Sequence, residues 1–258
     1  MSILKKKSIL IIGSQSRVIS KEILTQSNVI SSLQLLSMTN CTLKLIKNSD
    51  YIIFFSYIYN YNRTLDFENS VKLAEIITNT YDCNTTKILF LSTDAVFSGI
   101  DGLYNLDQVP QPVSVYGKIK FAQESLFNNA SILRFTTFGP SFSNRPLLWD
   151  LINNNEIKVL YQRSYFSPIS TVTLNGVILD FIQDNITVGI KHLATSRISK
   201  FELILKISEK LERSFPSNYP INSNQIDDFS LLASENKYFY DVSDEIEKSM
   251  AHSARSII

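Results

Sequence analysis

The feature that most constrains the fold is a series of short, continuous apolar runs, each ending at a turn-forming or hydroxylated residue: Ser8–Ile12 before Gly13, Asp50–Phe55 before Ser56, Lys87–Leu91 before Ser92-Thr93-Asp94, and Ser131–Phe135 before Thr136. Runs of this kind read as strands buried on both faces. Between them lie stretches with apolar residues at helical spacing. Phe67–Thr80 carries Val71, Ala74 and Ile77 with Leu73 and Ile76 beside them, and Val115–Asn128 follows the Pro110/Pro112 loop. Strands alternating with helices predict right-handed βαβ units, and so an α/β fold with a doubly wound parallel sheet.

The rest of the chain continues the alternation less clearly. Gln15–Leu24 is expected to be a helix after the first strand, Val29–Ile30 is weakly β-like, and Thr42–Lys47 carries Leu and Ile. After Gly139-Pro140 the pattern predicts a helix near Pro146–Asn153, a strand near Ile157–Tyr161, a helix over Val172–Gln183, a short strand over Ile190–Ala194 and a helix over Phe201–Leu211. Beyond Pro216 and Pro220 no period is evident. The 258 residues fit one large domain or a core with a smaller lobe.

Apolar residues make up 44%, charged residues 19%, and the formal net charge is +1, which excludes disorder and a basic nucleic-acid-binding surface. Cys41 and Cys83 offer neither a disulfide framework nor a metal-ligand spacing, so a reducing cytoplasm is expected. The Tyr51–Tyr59 stretch is shorter than the roughly 18 apolar residues that span a membrane. Lys5–Gly13 lacks the core and cleavage site of a signal peptide. Glycine is scarce, at 7 residues, although loops that wrap phosphates normally need it.

Chemistry concentrates in two places. Tyr116 and Lys120 are four apart on a predicted helix, so they share a face one turn apart. A phenol with a pKa near 10 works at neutral pH only beside a cation that favours its phenolate, and Lys120 is that cation. The bland alternative is an aromatic next to a solvated lysine by accident. Ser92-Thr93-Asp94 lies where a parallel strand ends, the edge at which open α/β sheets bind ligands. There the bland alternative is a hydroxyl capping the next turn. His192 and His252 have no partners at zinc or triad spacing and read as structural or exposed.

Taken in order, Ser92-Thr93-Asp94-x-Val96-Phe97-x-Gly99, Tyr104, Pro110-x-Pro112-x-x-Val115-Tyr116-Gly117-x-x-Lys120 and Glu124 resemble the extended short-chain dehydrogenases, in the branch that contains dTDP-4-dehydrorhamnose reductase. Weaker similarity continues through Leu133–Thr136, Pro168 and Gly189–Ala194. The resemblance implies a Rossmann-like sheet, NADPH or NADH as cofactor, a nucleotide-sugar substrate, a role in deoxysugar biosynthesis and a possible homodimer. It implies a cofactor domain over 1–139, with 170–195 returning to it, and a smaller mixed substrate lobe from 140–169 and 196–258. Tyr116 would be the general acid, Lys120 would lower its pKa and hold the nicotinamide ribose, and Thr93 would hydrogen-bond the reacting oxygen. Thr93, Asp94, Val96 and Tyr116 would meet the substrate. Gly13, Ser14, Ser16, Arg17, Val18, Phe55 and Ser56 would join Tyr116 and Lys120 around the cofactor.

Departures from the family pattern fall on the cofactor side. Of the expected three-glycine turn only Gly13 is kept, with Ser16 and Ile19 at the later positions. Ser16 and Arg17 can still bind phosphate, and Arg17 suits the 2′-phosphate of NADP. Phe54-Phe55-Ser56-Tyr57 replaces small residues that admit the cofactor, Val29–Ser32 lacks a ribose-binding acid, and Gln123 and Phe166-Ser167-Pro168-Ile169 also diverge. Two readings follow: a working reductase of a 4-keto-6-deoxy nucleotide sugar, or a non-catalytic or regulatory nucleotide-sugar-binding relative. An epimerase is a further alternative on this scaffold. The resemblance disfavours dehydration, because dehydratases of this group carry an Asp-Glu pair after the catalytic hydroxyl and here Ala95 follows Asp94.

Overall fold

The computed structural model describes residues 7–13, 18–20, 30–36, 43–55, 64–142, 147–154, 157, 159–212 and 220–255. Its strands are β1 (Lys7–Ile12), β2 (Ile30–Leu36), β3 (Tyr51–Phe54), β4 (Lys87–Leu91), β5 (Ser131–Arg134), β6 (Leu160–Phe166), β7 (Gly189–His192) and β8 (Ile221–Asp228), besides several two-residue pairings. Its helices are α1 (Leu43–Lys47), α2 (Thr64–Thr80), α3 (Val115–Glu124), α4 (Leu148–Asn153), α5 (Thr171–Ile182), α6 (Lys200–Lys210) and α7 (Val242–Arg255).

The apolar runs become the middle of a six-stranded sheet, in the order β2-β1-β3-β4-β5-β7, with every neighbouring pair parallel. The pleat divides each run between two cores. Ile9, Ile11, Ile53, Leu89, Leu91 and Leu133 pack with Leu174, Val177, Ile178 and Phe181 of α5. Leu10, Ile12, Ile52, Phe54 and Phe90 face Ile46 of α1, Leu73, Ala74 and Ile77 of α2, and Phe127. Burying each of these large side chains stabilises the fold by roughly 1.5–3 kcal/mol. The doubly wound sheet is therefore as the alternation predicts.

The chain runs from β1 out to β2 and returns to β3 on the other side of β1, which opens a crevice between the carboxyl ends of β1 and β3. Gly13 closes that turn at φ +98, where a Cβ would lie 1.8 Å from the carbonyl oxygen of Phe55. Only glycine fits there. The helix expected over Gln15–Leu24 is not seen in its described part, because Val18–Ser20 is irregular backbone. Asn175 of α5 substitutes for helical hydrogen bonds there: its Oδ1 accepts from Ser20 N at 2.8 Å and its Nδ2 donates to Val18 O at 2.8 Å.

A second sheet places β6 between β8, parallel, and Ile198–Ser199, antiparallel. Its core joins Phe138, Trp149, Leu160, Leu203, Ile207 and Ile246. The strand expected near Ile157–Tyr161 thus runs over Leu160–Phe166, and the stretch without a period after Pro220 holds β8 and α7. Glu245 of α7 is fully buried and accepts from Ser170 N at 2.6 Å and from Thr173 Oγ1 at 2.7 Å. A carboxylate at that end of α5 complements the helix dipole. The segment after β8 is zipped to the loop after β4: Asp228 N donates to Gly99 O at 2.8 Å, Tyr104 N to Ser230 O at 2.9 Å, and Leu232 N to Tyr104 O at 2.8 Å. No described helix is long and apolar enough to cross a membrane.

Candidate active site

The end of β4 is held by its neighbours. Ser92 N donates to Leu133 O at 2.7 Å and Asp94 N to Phe135 O at 3.3 Å, which keeps the loop on β5. Ser92 Oγ donates to Glu124 Oε1, and the same carboxylate takes Nε of Arg134 at 3.0 Å and Nη2 at 2.7 Å. This buried pair ties β4, α3 and β5 together. Its desolvation offsets much of its attraction, so its contribution is geometric: it fixes which way the Ser92-Thr93 backbone faces. Behind it, Arg134 Nη1 donates to Nε2 of His192 at 3.4 Å, and His192 Nδ1 donates to Tyr104 O at 3.1 Å. Burial and the Arg134 charge push His192 down to about 4, so it is a neutral structural group.

Thr93 caps the single helical turn Asp94–Val96, accepting from Ala95 N at 3.2 Å, and donates its hydroxyl to Asp94 Oδ1 at 2.9 Å. Burial raises the Asp94 carboxyl to about 7, against the Thr93 hydrogen bond and the charge of Lys200. Val96, expected at the substrate, is turned by this same turn into a core cluster with Phe97, Tyr104, Ala194 and Leu231, and does not line the cavity described below.

Helix α3 starts where Ser114 Oγ accepts from Gly117 N at 3.0 Å. A Cβ on Gly117 would stand 2.0 Å from Ala95 O, so the helix lies directly against the Thr93-capped turn. That contact brings Tyr116 beside Thr93. Gly117→Ala is accordingly expected to lower both melting temperature and turnover, the latter roughly 100-fold if the turn is displaced by about 1 Å. In an open helix site the same change would stabilise by about 1 kcal/mol. A rise in melting temperature would therefore refute the close approach.

A cavity of about 280 Å³ opens at the carboxyl edge of the sheet, at the ends of β3, β4 and β5, walled by Val18, Phe55, Thr93, Asp94, Tyr116 and Thr136 among others, without Gly13. Lys120 is not in its wall. The lysine shares the face of Tyr116, with Nζ 5.8 Å from that ring, but it is 0% exposed and donates to Leu91 O at 2.7 Å. The rings of Phe55 and Phe90 stand 4.7 and 4.9 Å from Nζ. Burial pushes the amine down to about 7, and Glu124 opposes the shift. Of the two adjacent aromatics at the end of β3, Phe54 points away from the cavity toward Phe90 and Phe127, and Phe55 points into it. Ser14, Ser16, Arg17 and Ser56 lie outside the described residues. Thr137 and Leu147 also line the cavity and had no motif to mark them, although Thr137, just beyond the end of β5, could have been singled out by position alone. Among the described residues no group of three or more His, Cys, Asp or Glu could hold a metal.

Residues 62–237, which include Thr93, Tyr116 and Lys120, match the family described as the RmlD substrate binding domain. The chain belongs to that family. No curated protein matches the sequence significantly. Among solved structures, the RmlD-like chain is similar to the dTDP-4-dehydrorhamnose reductase of Bacillus anthracis in complex with NADP, at 18% identity and TM-score 0.79, over 96% of this chain and 99% of that one. It is also similar to a hypothetical dTDP-4-dehydrorhamnose reductase from Sulfolobus tokodaii, at 23% identity and TM-score 0.68, over 90% and 93%. A third is a Bacillus cereus UDP-glucuronic acid 4-epimerase variant bound to a UDP-sugar analogue and NAD, at 16% identity and TM-score 0.72, over 96% and 99%. These relatives share the fold, the Bacillus anthracis reductase being solved with NADP and the epimerase with NAD.

Proposed function

We propose that this RmlD-like protein is an NADP(H)-dependent reductase of a 4-keto-6-deoxy nucleotide sugar. The observation that carries the reading is the joint exposure of Thr93 and Tyr116 on one cavity at the carboxyl edge of the sheet, held together by the Gly117–Ala95 contact. Residues present fit a nicotinamide dinucleotide at its first requirement. Gly13 makes the tight left-handed turn with no side chain between β1 and β3, and the cavity opens along the same carboxyl edge of the sheet, beside the end of β3. Gly13, Val18 and Phe55 would flank the cofactor, with Ser14, Ser16, Arg17 and Ser56 as further candidates, and Lys120 would hold its ribose.

When bound, the nicotinamide would supply a hydride to the carbonyl carbon. Tyr116 would give its phenolic proton to the carbonyl oxygen. Thr93 would orient that oxygen, turning its hydroxyl from Asp94 toward the substrate. Asp94 would line the sugar side, and residues 140–169 and 196–258 would form the substrate lobe. The buried Ser92–Glu124–Arg134 network keeps Thr93 from drifting as this occurs.

One observation favours the second reading, a nucleotide-sugar-binding relative without turnover: Phe55 lies over Lys120. Titrating the protein with NADPH and NADH, with and without dTDP, and following nicotinamide fluorescence and thermal shift separates the two. Saturable binding of NADPH is expected. No binding of either dinucleotide at millimolar concentration, with binding of dTDP, would replace the reductase by the binding protein.

A further inference from the structure

Phe55 is fixed in its backbone, and its ring stands between the sheet core and the cavity. Its N–H donates to Ile12 O at 2.9 Å, which extends the β1–β3 ladder by one residue, and its carbonyl is pressed against Gly13. The residue therefore cannot withdraw as a whole. The residue is 7% exposed at the cavity wall, whereas Lys120, its Nζ 4.7 Å from the ring, is 0% exposed and absent from that wall. The Phe90 ring also stands 4.9 Å from Nζ, which donates to a main-chain carbonyl, Leu91 O. The ring faces thus supply what a polar partner would, since the cation sits within the ~6 Å at which an aromatic quadrupole attracts it.

We infer that Phe55 is a specificity-determining gate on Lys120: its ring separates the amine from the cavity in the free protein, and a nicotinamide dinucleotide is admitted only when the ring turns aside. The inference rests on the reductase reading, which needs Lys120 to reach the cavity. Turning about the side-chain bonds of a residue whose main chain is locked uncovers Nζ, whose three donors then meet hydroxyl acceptors in place of rings. The ring also fills space, so part of the dinucleotide's affinity is spent on displacing it. A protein gated this way binds the dinucleotide more weakly than its unobstructed form by the fraction of time the gate stands open.

The test compares the full chain with Phe55→Ala and with Phe55→Leu, the second of which keeps apolar contact with the core should the first fail to fold. Each protein is titrated with NADPH by fluorescence. Each is also treated, free of dinucleotide, with a small acylating reagent, and acylation of Lys120 is followed by mass spectrometry against the exposed Lys118. Phe55→Ala is expected to bind NADPH at least tenfold more tightly and to acylate at Lys120 at least tenfold faster than the unaltered chain, with Phe55→Leu between them. If the unaltered chain binds NADPH and neither variant binds it more tightly, or if Lys120 reacts equally in all three, the gate is overturned and the reductase reading stands. If none of the three binds NADPH, the reductase reading falls and the gate with it.

Discussion

Tyr116→Phe is expected to lower turnover of a 4-keto nucleotide sugar by roughly 10²–10⁴-fold, the usual contribution of a positioned acid, while leaving NADPH affinity within about twofold. The substitution removes one oxygen from a half-buried side chain on the cavity wall and leaves the ring in place. Helix α3 is capped by the Ser114 hydroxyl and seated on Ala95 through Gly117, and both contacts are made by neighbouring residues. The phenolic proton is what the substrate oxygen would take, so its loss falls on the step in which charge develops on that oxygen. Dihydronicotinamide oxidation measured at saturating substrate, beside a fluorescence titration of NADPH, separates the two quantities. Near-normal turnover in the variant would remove Tyr116 from the chemistry and leave the Thr93 turn without a proton donor.

The central sheet was legible because burial on both faces leaves an unmistakable mark. β1, β3, β4 and β5 each read as continuous apolar runs, and the structure divides each between two cores. The carboxyl half was less legible for the opposite reason. β8 is polar and largely exposed, and is specified by its main-chain pairing with β6, which no side-chain pattern records. α7 buries Val242, Ile246 and Met250 at four-residue spacing, but also the polar Glu245 and Ser249, so the face it presents to the core does not look apolar. The site divides similarly. Tyr116 and Thr93 were marked by residue type and spacing, whereas the inward turn of Val96 and the burial of Lys120 depend on side-chain direction at one turn and one strand end. Phe54 and Phe55 show the limit most clearly: two identical adjacent residues, of which the pleat sends one into the core behind the sheet and the other into the cavity.

Lys120→Met should move stability and turnover in opposite directions. The amine is 0% exposed, and burial pushes it down to about 7. Glu124, the acid that favours its charged form, is itself engaged by Arg134 and Ser92. Because the folded-state value lies below the ordinary lysine value of about 10.4, the folded protein binds fewer protons than the unfolded chain between about pH 7 and pH 10. Stability therefore rises with pH across that window and is lowest below pH 7, where the folded state carries a buried ammonium. Methionine keeps the unbranched apolar stem and removes the charge, at the cost of one hydrogen bond to Leu91 O of about 1 kcal/mol. A net gain on the order of 2 kcal/mol at pH 6 is expected, or roughly 4–8 °C in melting temperature for a chain of this size, together with a flatter dependence of stability on pH between 7 and 10. Turnover should fall at least tenfold, because the phenolate left on Tyr116 loses its cation. A buried lysine that weakens the fold and nevertheless keeps its amine 5.8 Å from the ring of the proposed acid is what a functional, rather than structural, role predicts. An unchanged or lowered melting temperature at pH 6, with the unaltered chain equally stable at pH 7 and pH 10, would instead make Lys120 an ordinary packing residue held by the rings of Phe55 and Phe90.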